Sequence, residues 1–362
     1  MTRLPLLAAC SFCTLAVPAQ GQTQVSVVGV IDAYVGTLRN SGDATRRNVV
    51  GSGGMTTSYF GFKGREDLGG GLRAEFALTG SFLVDTGASG RFAGDPMFSR
   101  DANVALAGPF GRLMFGRAAA PNFLSNVQFN PFGNSFTFSP LMLHSYIPSG
   151  PLGARNWTPS SAGDSGWSNQ IAYTTPEVKG LKASVHFQPG ERQGLAGMNN
   201  IAANVFYTRG PLALTAFVHR VRESNPNQGN PIIDAMRAPI NYAAVDNQRA
   251  YFGGIAYDFT AVKLYATFQR TFNDTPTGLH MNDRVASVGL SSRQGPGSVL
   301  FGYANTRREG SLFGPERTRA TATLGYLYPA SKRSELYVLA MTDRVSGKPR
   351  ASSAATGIRH SF

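Results

Sequence analysis

The stretch Leu72-Arg73-Ala74-Glu75-Phe76-Ala77-Leu78-Thr79-Gly80-Ser81-Phe82 decides the fold class. Successive side chains of a strand point to opposite faces. Leu72, Ala74, Phe76, Leu78 and Phe82 therefore share one side, with Arg73, Glu75, Thr79 and Ser81 on the other. The same period runs upstream, where Val25, Val27, Gly29, Ile31, Ala33 and Val35 oppose Ser26, Asp32 and Tyr34. Downstream it returns in Leu181 to Phe187 against Lys182, Ser184 and His186, and in Val262 to Phe268 against Lys263, Tyr265, Thr267 and Gln269. Ala320 to Tyr328 oppose Arg319, Thr321 and Thr323 in the same way. Each segment has about the ten residues that a tilted strand needs to cross a bilayer as part of a barrel.

Working outward, the pattern predicts sixteen strands, near 24–37, 54–65, 72–83, 98–108, 111–118, 166–175, 180–189, 199–209, 211–222, 246–258, 261–273, 281–293, 297–308, 316–328, 333–345 and 351–362. The connections form two populations. Glu66 to Gly71, Gly108-Pro109-Phe110-Gly111 and Arg209-Gly210-Pro211 are tight. Others, near 38–53, 84–97, 119–165, 189–198, 223–245, 273–280, 309–315 and 346–350, are long and rich in Gly, Asn and Pro. Short turns alternating with long loops describe an up-and-down barrel with short turns at one rim. The aromatics, 24 Phe and 13 Tyr, gather near strand ends, as interfacial girdles require. An unpaired strand edge in lipid costs several kcal/mol per backbone group, so such a sheet must close.

Composition excludes the alternatives. No run approaches the roughly 18 to 20 apolar residues of a membrane-spanning helix, and mean hydropathy is −0.14. A hydrophobic fraction of 42% is too high for a disordered chain. At the start, Arg3 precedes the apolar run Leu4 to Val17, and Val17-Pro18-Ala19 offers a small-x-small cleavage pattern. This reads as a secretory signal over 1–21, cut after Ala19 or Gly21, followed by a single domain over 22–362. Both cysteines, Cys10 and Cys13, lie inside the signal, so neither a disulfide nor thiolate chemistry is expected of the exported chain.

At this point the residues resemble a known family. Gly29-Val30-Ile31-Asp32-Ala33, the run from Tyr59 to Ala74 across Gly-Arg-Glu-Asp-Leu-Gly-Gly-Gly, and Gly111-Arg112-Leu113-Met114-Phe115-Gly116-Arg117 look like the general porins of Gram-negative bacteria, of the β-proteobacterial kind. The final Gly357-Ile358-Arg359-His360-Ser361-Phe362 resembles their last strand, whose terminal aromatic, here Phe362, serves as the outer-membrane assembly signal. The resemblance implies an all-β fold, a 16-stranded antiparallel transmembrane barrel assembled as a homotrimer in the outer membrane. It also implies a long third loop, here 119–165, folded into the pore as a constriction. That loop contains Pro131, Phe132 and Gly133, similar to a Pro-acid-Phe-Gly element of relatives, but the acid is absent and Asn130 precedes the proline. A nearly neutral, more apolar constriction is the expectation.

A water-filled pore acts through field and size, so the charges that face inward matter. Parity turns Lys63, Arg65, Arg73, Arg112, Arg319 and Arg359 toward the lumen, with the acids Asp32, Glu75 and Asp101. Arg117 has outward parity in a strict count but sits where a bend could turn it inward. With 28 Arg and 6 Lys against 21 acids, the wall is expected to be net positive. Guanidinium groups keep their charge and bind carboxylate or phosphate in a planar fork. The predicted function is passive diffusion of small hydrophilic solutes, anionic or neutral, with anions preferred. Rim arginines such as Arg307, Arg308 and Arg333 have a plainer role open to them, pairing with lipopolysaccharide or with acids on neighbouring strands.

Two other function classes are weighed beside the channel: an outer-membrane β-barrel enzyme and a secreted ligand-binding β-protein. The five histidines, His144, His186, His219, His280 and His360, are scattered singly, and no Gly-x-Ser-x-Gly or His-Glu-x-x-His occurs. Neither cofactor nor metal is expected. Nucleic acid is not an expected partner either, because the basic residues are spread over strands rather than clustered.

Overall fold

A computed structural model describes residues 23–91, 95–145, 165–191, 199–222, 247–275, 277–311 and 314–362. The expected signal segment and residues 146–164 of the long loop lie outside the described residues. The first half of the chain supplies β1 (Gln24–Leu38), β2 (Arg47–Ser52), β3 (Tyr59–Gly69), β4 (Leu72–Ser81), β5 (Asp101–Gly108), β6 (Gly111–Ala119), β7 (Gly166–Thr174) and β8 (Leu181–Gln188). Two helices, α1 (Pro121–Gln128) and α2 (Pro140–Ser145), lie between β6 and β7. The second half supplies β9 (Asn200–Arg209), β10 (Leu212–Val221), β11 (Asn247–Asp258), β12 (Val262–Asp274), β13 (His280–Gln294), β14 (Gly297–Gly310), β15 (Gly314–Pro329), β16 (Ser334–Val345) and β17 (Ala351–Ser361).

From β3 onward each strand pairs antiparallel with the next, and β17 returns to pair with β1 from Val30↔Ser361 to Thr37↔Ala354. The sheet is closed. β1 pairs with β2 through Ala33–Leu38 and with β3 through Gln24–Val30. Those two strands therefore share one place in the wall, and seventeen strands fill sixteen positions. Here the expected strand over 54–65 needs correction, because residues 53–58 interrupt it. Gly53 takes φ +79°, and the Asp32 carboxylate accepts the N–H groups of Gly54, Met55 and Thr56 at 3.1, 2.8 and 2.7 Å. The buried carboxylate replaces the ladder that these amides lack.

Burial follows the sequence period. Val25, Val27, Val104, Phe268, Val288, Leu324 and Val338 are all more than half exposed on the outer face, where lipid would cover them. Asp32, Thr79, Gln170, Thr321 and Ser353 on the inner face are buried. At the tight end of the β3–β4 hairpin, Gly69, Gly70 and Gly71 have φ of +81°, +60° and +79°, a run that side-chain-bearing residues enter only with strain. No helix among the described residues is long and apolar enough to cross a membrane.

The apolar core lies inside the barrel, between its inner wall and the long loop. Tyr34, Leu300, Tyr337, Leu339 and Met341 of the wall enclose Phe132, Phe138 and Leu143 of the loop. A second cluster joins Phe123 and Met142 to Trp167, Ala202 and Val221. The inner face is thus polar where it meets water and apolar under the loop, which needs a dry seat to stay folded.

Candidate functional site

The described part of the long loop, up to Ser145, lies against the inner wall. Pro121 begins α1, where a missing N–H costs nothing because the first helical amides have no partner anyway. Its Ser125 hydroxyl meets that of Thr215 on β10 at 2.9 Å, and Asn204 on β9 donates to the Pro121 carbonyl. Ser135 and Thr137 donate to the carbonyls of Gly54 and Gly53. Thr323 on β15 donates to the Phe138 carbonyl at 2.7 Å, and Arg319 to that of Leu143 at 3.2 Å. These anchors run around both sides of the barrel.

Pro131 and Phe132 sit on a floor of glycines. A Cβ at Gly289 would come within 2.5 Å of the Pro131 ring, and at Gly302 within 3.0 Å of the Phe132 ring. Phe132 is 1% exposed, so its side chain fastens the loop to the wall and does not face the water path. Gly133 takes φ +53° at the turn that follows. Asn130 braces this turn. Its amide donates to the Asn126 and Gly133 carbonyls, and its oxygen accepts from the Phe132 N–H and the Ser139 hydroxyl. A neutral amide that donates and accepts can close this network, which a carboxylate, as an acceptor alone, cannot.

The charged residues divide into two sets. Near the short-turn rim, Lys63 and Arg65 are exposed and occupy inward positions, opposite Ser26 and Gln24. Beside them Glu75 accepts from Arg73 Nε at 2.7 Å and from Arg112 Nε at 2.8 Å, so one carboxylate serves two guanidinium groups. Asp67 faces Arg73 across the hairpin and accepts the Gly69 N–H. Arg359 pairs with Glu335 and donates to the Thr56 hydroxyl.

The other set is buried. Asp32 has inward parity, yet it is 0% exposed and adds the Tyr337 hydroxyl at 2.5 Å to its three amides. It holds the wall together and contributes no charge to the water path. Arg319 is likewise 0% exposed, bonded to Asp343 at 2.9 Å, and Arg308 binds Asp283 at 2.6 Å. His144 of α2 stands beside them, its ring nitrogens 2.6 and 2.8 Å from the hydroxyls of Thr306 and Thr321. Burial, then the charges of Arg319 and Arg308, hold this imidazole well below the usual histidine range, so it is neutral. Asp101 accepts the Thr79 hydroxyl at 2.7 Å.

Arg117 stands beside a β-bulge and keeps its register opposite Ala102, which has the outward parity of Val104. The β6–β7 register shifts between Gly116 and Ala118, and Gly116 takes φ +116° with no room for a Cβ, which would lie 2.3 Å from the Ala102 carbonyl oxygen. Arg117 is 6% exposed and donates to the Ser99 carbonyl at 2.7 Å and the Ser168 hydroxyl at 2.8 Å. The extra residue of the bulge lies on β7, where Ser168 and Asn169 together oppose Arg117 and Asn169 takes φ +51°, so the count along β6 is unbroken.

Sequence reasoning missed two neighbouring arginines. Arg91 pairs with Asp95 at 2.8 Å, and the Arg100 guanidinium lies 3.9 Å from the centre of the Tyr59 ring. With Asp101, Phe123 and Phe136 they line a cavity of about 50 Å³ where the loop meets the wall. Arg91 lies in an irregular segment with no period to read, so nothing marked it. Arg308 was legible, since it has the opposite parity to Tyr303 and Arg307.

Around the rim, the Phe362 backbone and Gly29 exchange both N–H···O bonds at 3.1 and 3.2 Å, joining the last residue to β1. A Cβ at Gly29 would lie 2.4 Å from the Phe362 ring, so the glycine makes room for it.

A closed antiparallel barrel with a loop seated inside it matches a family of known proteins. The model of the Gram-negative porins matches residues 6–348. The chain belongs to the Gram-negative porin family. Outer membrane porin protein 32 of Delftia acidovorans is 27% identical over 335 residues, covering 88% of this chain and 83% of its own length. An outer membrane porin of Bordetella pertussis is 26% identical, with 99% of each chain covered. Among solved structures, the anion-selective porin from Comamonas acidovorans superposes with a TM-score of 0.75 at 22% identity, over 94% of this chain and all of that one. This porin is accordingly an outer-membrane protein that forms a channel for passive diffusion. Among its described residues no group of three or more His, Cys, Asp and Glu could hold a metal ion.

Proposed function

We propose that this porin prefers anions and that its selectivity comes from the lumen surface near the short-turn rim. The observation that carries the reading is the surplus there. Lys63, Arg65, Arg73 and Arg112 face inward with only Glu75 and Asp67 beside them. Lys63 and Arg65 make no ion pair with the described acids, and Glu75 is shared. Unpartnered cations above a low-dielectric wall raise the local concentration of mobile anions and repel cations. Arg100 extends the basic side toward the loop, whose described residues carry no carboxylate, while Arg91 beside it is held by Asp95. The described part of the loop, residues 119–145, narrows the passage through bulk and not charge.

The substrates are small anionic or neutral hydrophilic solutes, moved without a chemical step. The histidines support that last point, because His186 and His219 lean on the amides of Gln170 and Gln248 while His144 leans on two threonines. Three such barrels form a homotrimer, with the Phe362 end read by the assembly machinery and lipopolysaccharide surrounding the outer rim. The signal over 1–21 directs export.

The zero-current potential of the purified protein in a planar bilayer under a KCl gradient tests the reading. A potential of the chloride-selective sign is expected. One of the cation-selective sign overturns the lumen assignment and leaves the channel standing.

A further inference from the structure

The recess where the long loop meets the wall has two sides of different chemistry. Ser81, Arg100 and Asp101 of the wall line one side, and Phe123 and Phe136 of the loop line the other. On the wall side two donors lack an acceptor, because Arg100 Nε and the Ser81 hydroxyl are buried and neither makes a hydrogen bond. Buried donors are nearly always paired, so two in one recess call for a ligand that accepts. The Arg100 guanidinium is held in place over the Tyr59 ring, 3.9 Å from its centre, and part of the side chain stays exposed. Asp101 is its neighbour in the chain, but the Asp101 carboxylate accepts the Thr79 hydroxyl at 2.7 Å and forms no bond with Arg100.

The loop side is apolar and fixed. Phe123 and Phe136 lie nearly parallel, 9° apart, with ring centres separated by 6.1 Å. Phe136 is half-buried, and its chain neighbours Ser135 and Thr137 are bonded to the carbonyls of Gly54 and Gly53, which fixes the ring's place on the wall. The exposed residues of α1, Leu124 and Gln128, add no charge to the loop. The volume of about 50 Å³ holds roughly three or four water-sized groups, enough for a carboxylate head and not for a whole solute. The rest of the ligand must then lie along the loop. A second negative charge on it would meet the Asp101 carboxylate, which the same recess contains.

From this geometry we infer that the recess is a subsite for monocarboxylates with a flat apolar body, the chemistry of an aromatic acid. The carboxylate accepts from Arg100 Nε and from the Ser81 hydroxyl, and the body lies against the Phe136 ring. The inference rests on the anion-preferring reading and narrows its solutes. A hydroxyl-rich carboxylate of the same size satisfies the donors but buries no apolar surface on the rings. One guanidinium at the edge of a water path holds its ligand weakly, as conduction requires: a solute must bind well enough to enter and loosely enough to leave.

Single-channel chloride current of the purified porin in a planar bilayer, titrated with benzoate, threonate and phthalate, tests this. Benzoate and threonate match in non-hydrogen atoms, so size does not separate them. Benzoate should interrupt the current at a concentration about tenfold below that needed for threonate or phthalate. Arg100→Lys keeps the charge and loses the Nε donor, and should weaken the benzoate block by about threefold or more. Phe136→Leu keeps an apolar side chain and loses the ring, and should bring benzoate to within about threefold of threonate. Equal block by benzoate and threonate in the wild type overturns the inference, as does a benzoate block that neither variant changes. Should the variants fail to fold, the wild-type series decides alone. A wild type that is chloride-selective under a KCl gradient and blocked equally by both anions loses the subsite and keeps the anion preference, whereas a cation-selective wild type loses both.

Discussion

Replacing Asp343 by Asn should unseat the long loop from the barrel wall. Both Asp343 and Arg319 have side chains with no exposed area, 2.9 Å apart. Asp343 also accepts the Thr321 hydroxyl at 2.6 Å and, through its second oxygen, the Ser41 N–H at 2.9 Å. The substituted amide would keep one acceptor and turn an NH2 group toward the Ser41 N–H, two donors face to face. Arg319 would stay charged, because a guanidinium does not deprotonate to relieve its burial. Removing one partner of a buried pair costs about 3–5 kcal/mol, or roughly a hundredfold to a few thousandfold in the folding equilibrium. Arg319 also holds the Leu143 carbonyl, so the loss spreads to α2. Urea unfolding in lipid vesicles, followed by tryptophan fluorescence and heat-dependent gel mobility, should show the midpoint falling. Replacing both residues by apolar ones of similar volume, Arg319→Met with Asp343→Leu, should recover most of the loss, since a dry pair is worth little net. A cost below about 1 kcal/mol for Asp343→Asn would refute the account, because an unpaired buried cation cannot be that cheap.

Three further outcomes are expected. Lys63→Gln with Arg65→Gln should move the zero-current potential toward zero, while Arg319→Gln, whose charge is buried against Asp343, should move it little; the reverse order would sink the rim as the selectivity surface. The folded protein keeps His144 neutral, with its proton affinity lowered below the unfolded value of 6.5. The unfolded chain therefore binds the proton first on acidification, so the stabilisation is complete above about pH 6.5 and is lost as pH falls below it. His144→Gln should show a smaller drop in unfolding midpoint between pH 7.5 and 5 than the wild type. Finally, Gly116→Ala places a Cβ against the Ala102 carbonyl at positive φ, and should destabilise by at least about 1–3 kcal/mol in the same urea assay.

Much of the barrel was legible because two independent signals agreed. The period of two told which residues face lipid, and Val25, Val104, Leu324 and Val338 are exposed where that period put them. The turn chemistry told where the sheet reverses, and Gly69-Gly70-Gly71 does so at positive φ. The interruption at 53–58 escaped this reading. Its cause is the Asp32 carboxylate, more than twenty residues away in sequence, gathering three amides that local pattern would assign to a strand.

The site was legible only as parity. Sequence could say that Lys63, Arg65, Arg73, Glu75 and Arg112 share the inner face, because side-chain direction is a local property of a strand. It could not say which inward charges meet water. Asp32 and Arg319 have the right parity and are buried, because Tyr337 reaches Asp32 across the closure of the sheet and Asp343 meets Arg319 from the adjacent strand β16. Arg117 keeps its outward parity, yet it is buried beside the β6–β7 bulge, bonded to the Ser99 carbonyl and the Ser168 hydroxyl. By itself, then, the sequence determined a strand-crossed wall, its lipid face and its basic lumen, all consequences of an alternation written residue by residue. The tertiary structure alone decided which charges pair and where the loop rests, because those depend on side chains brought together across a closed sheet.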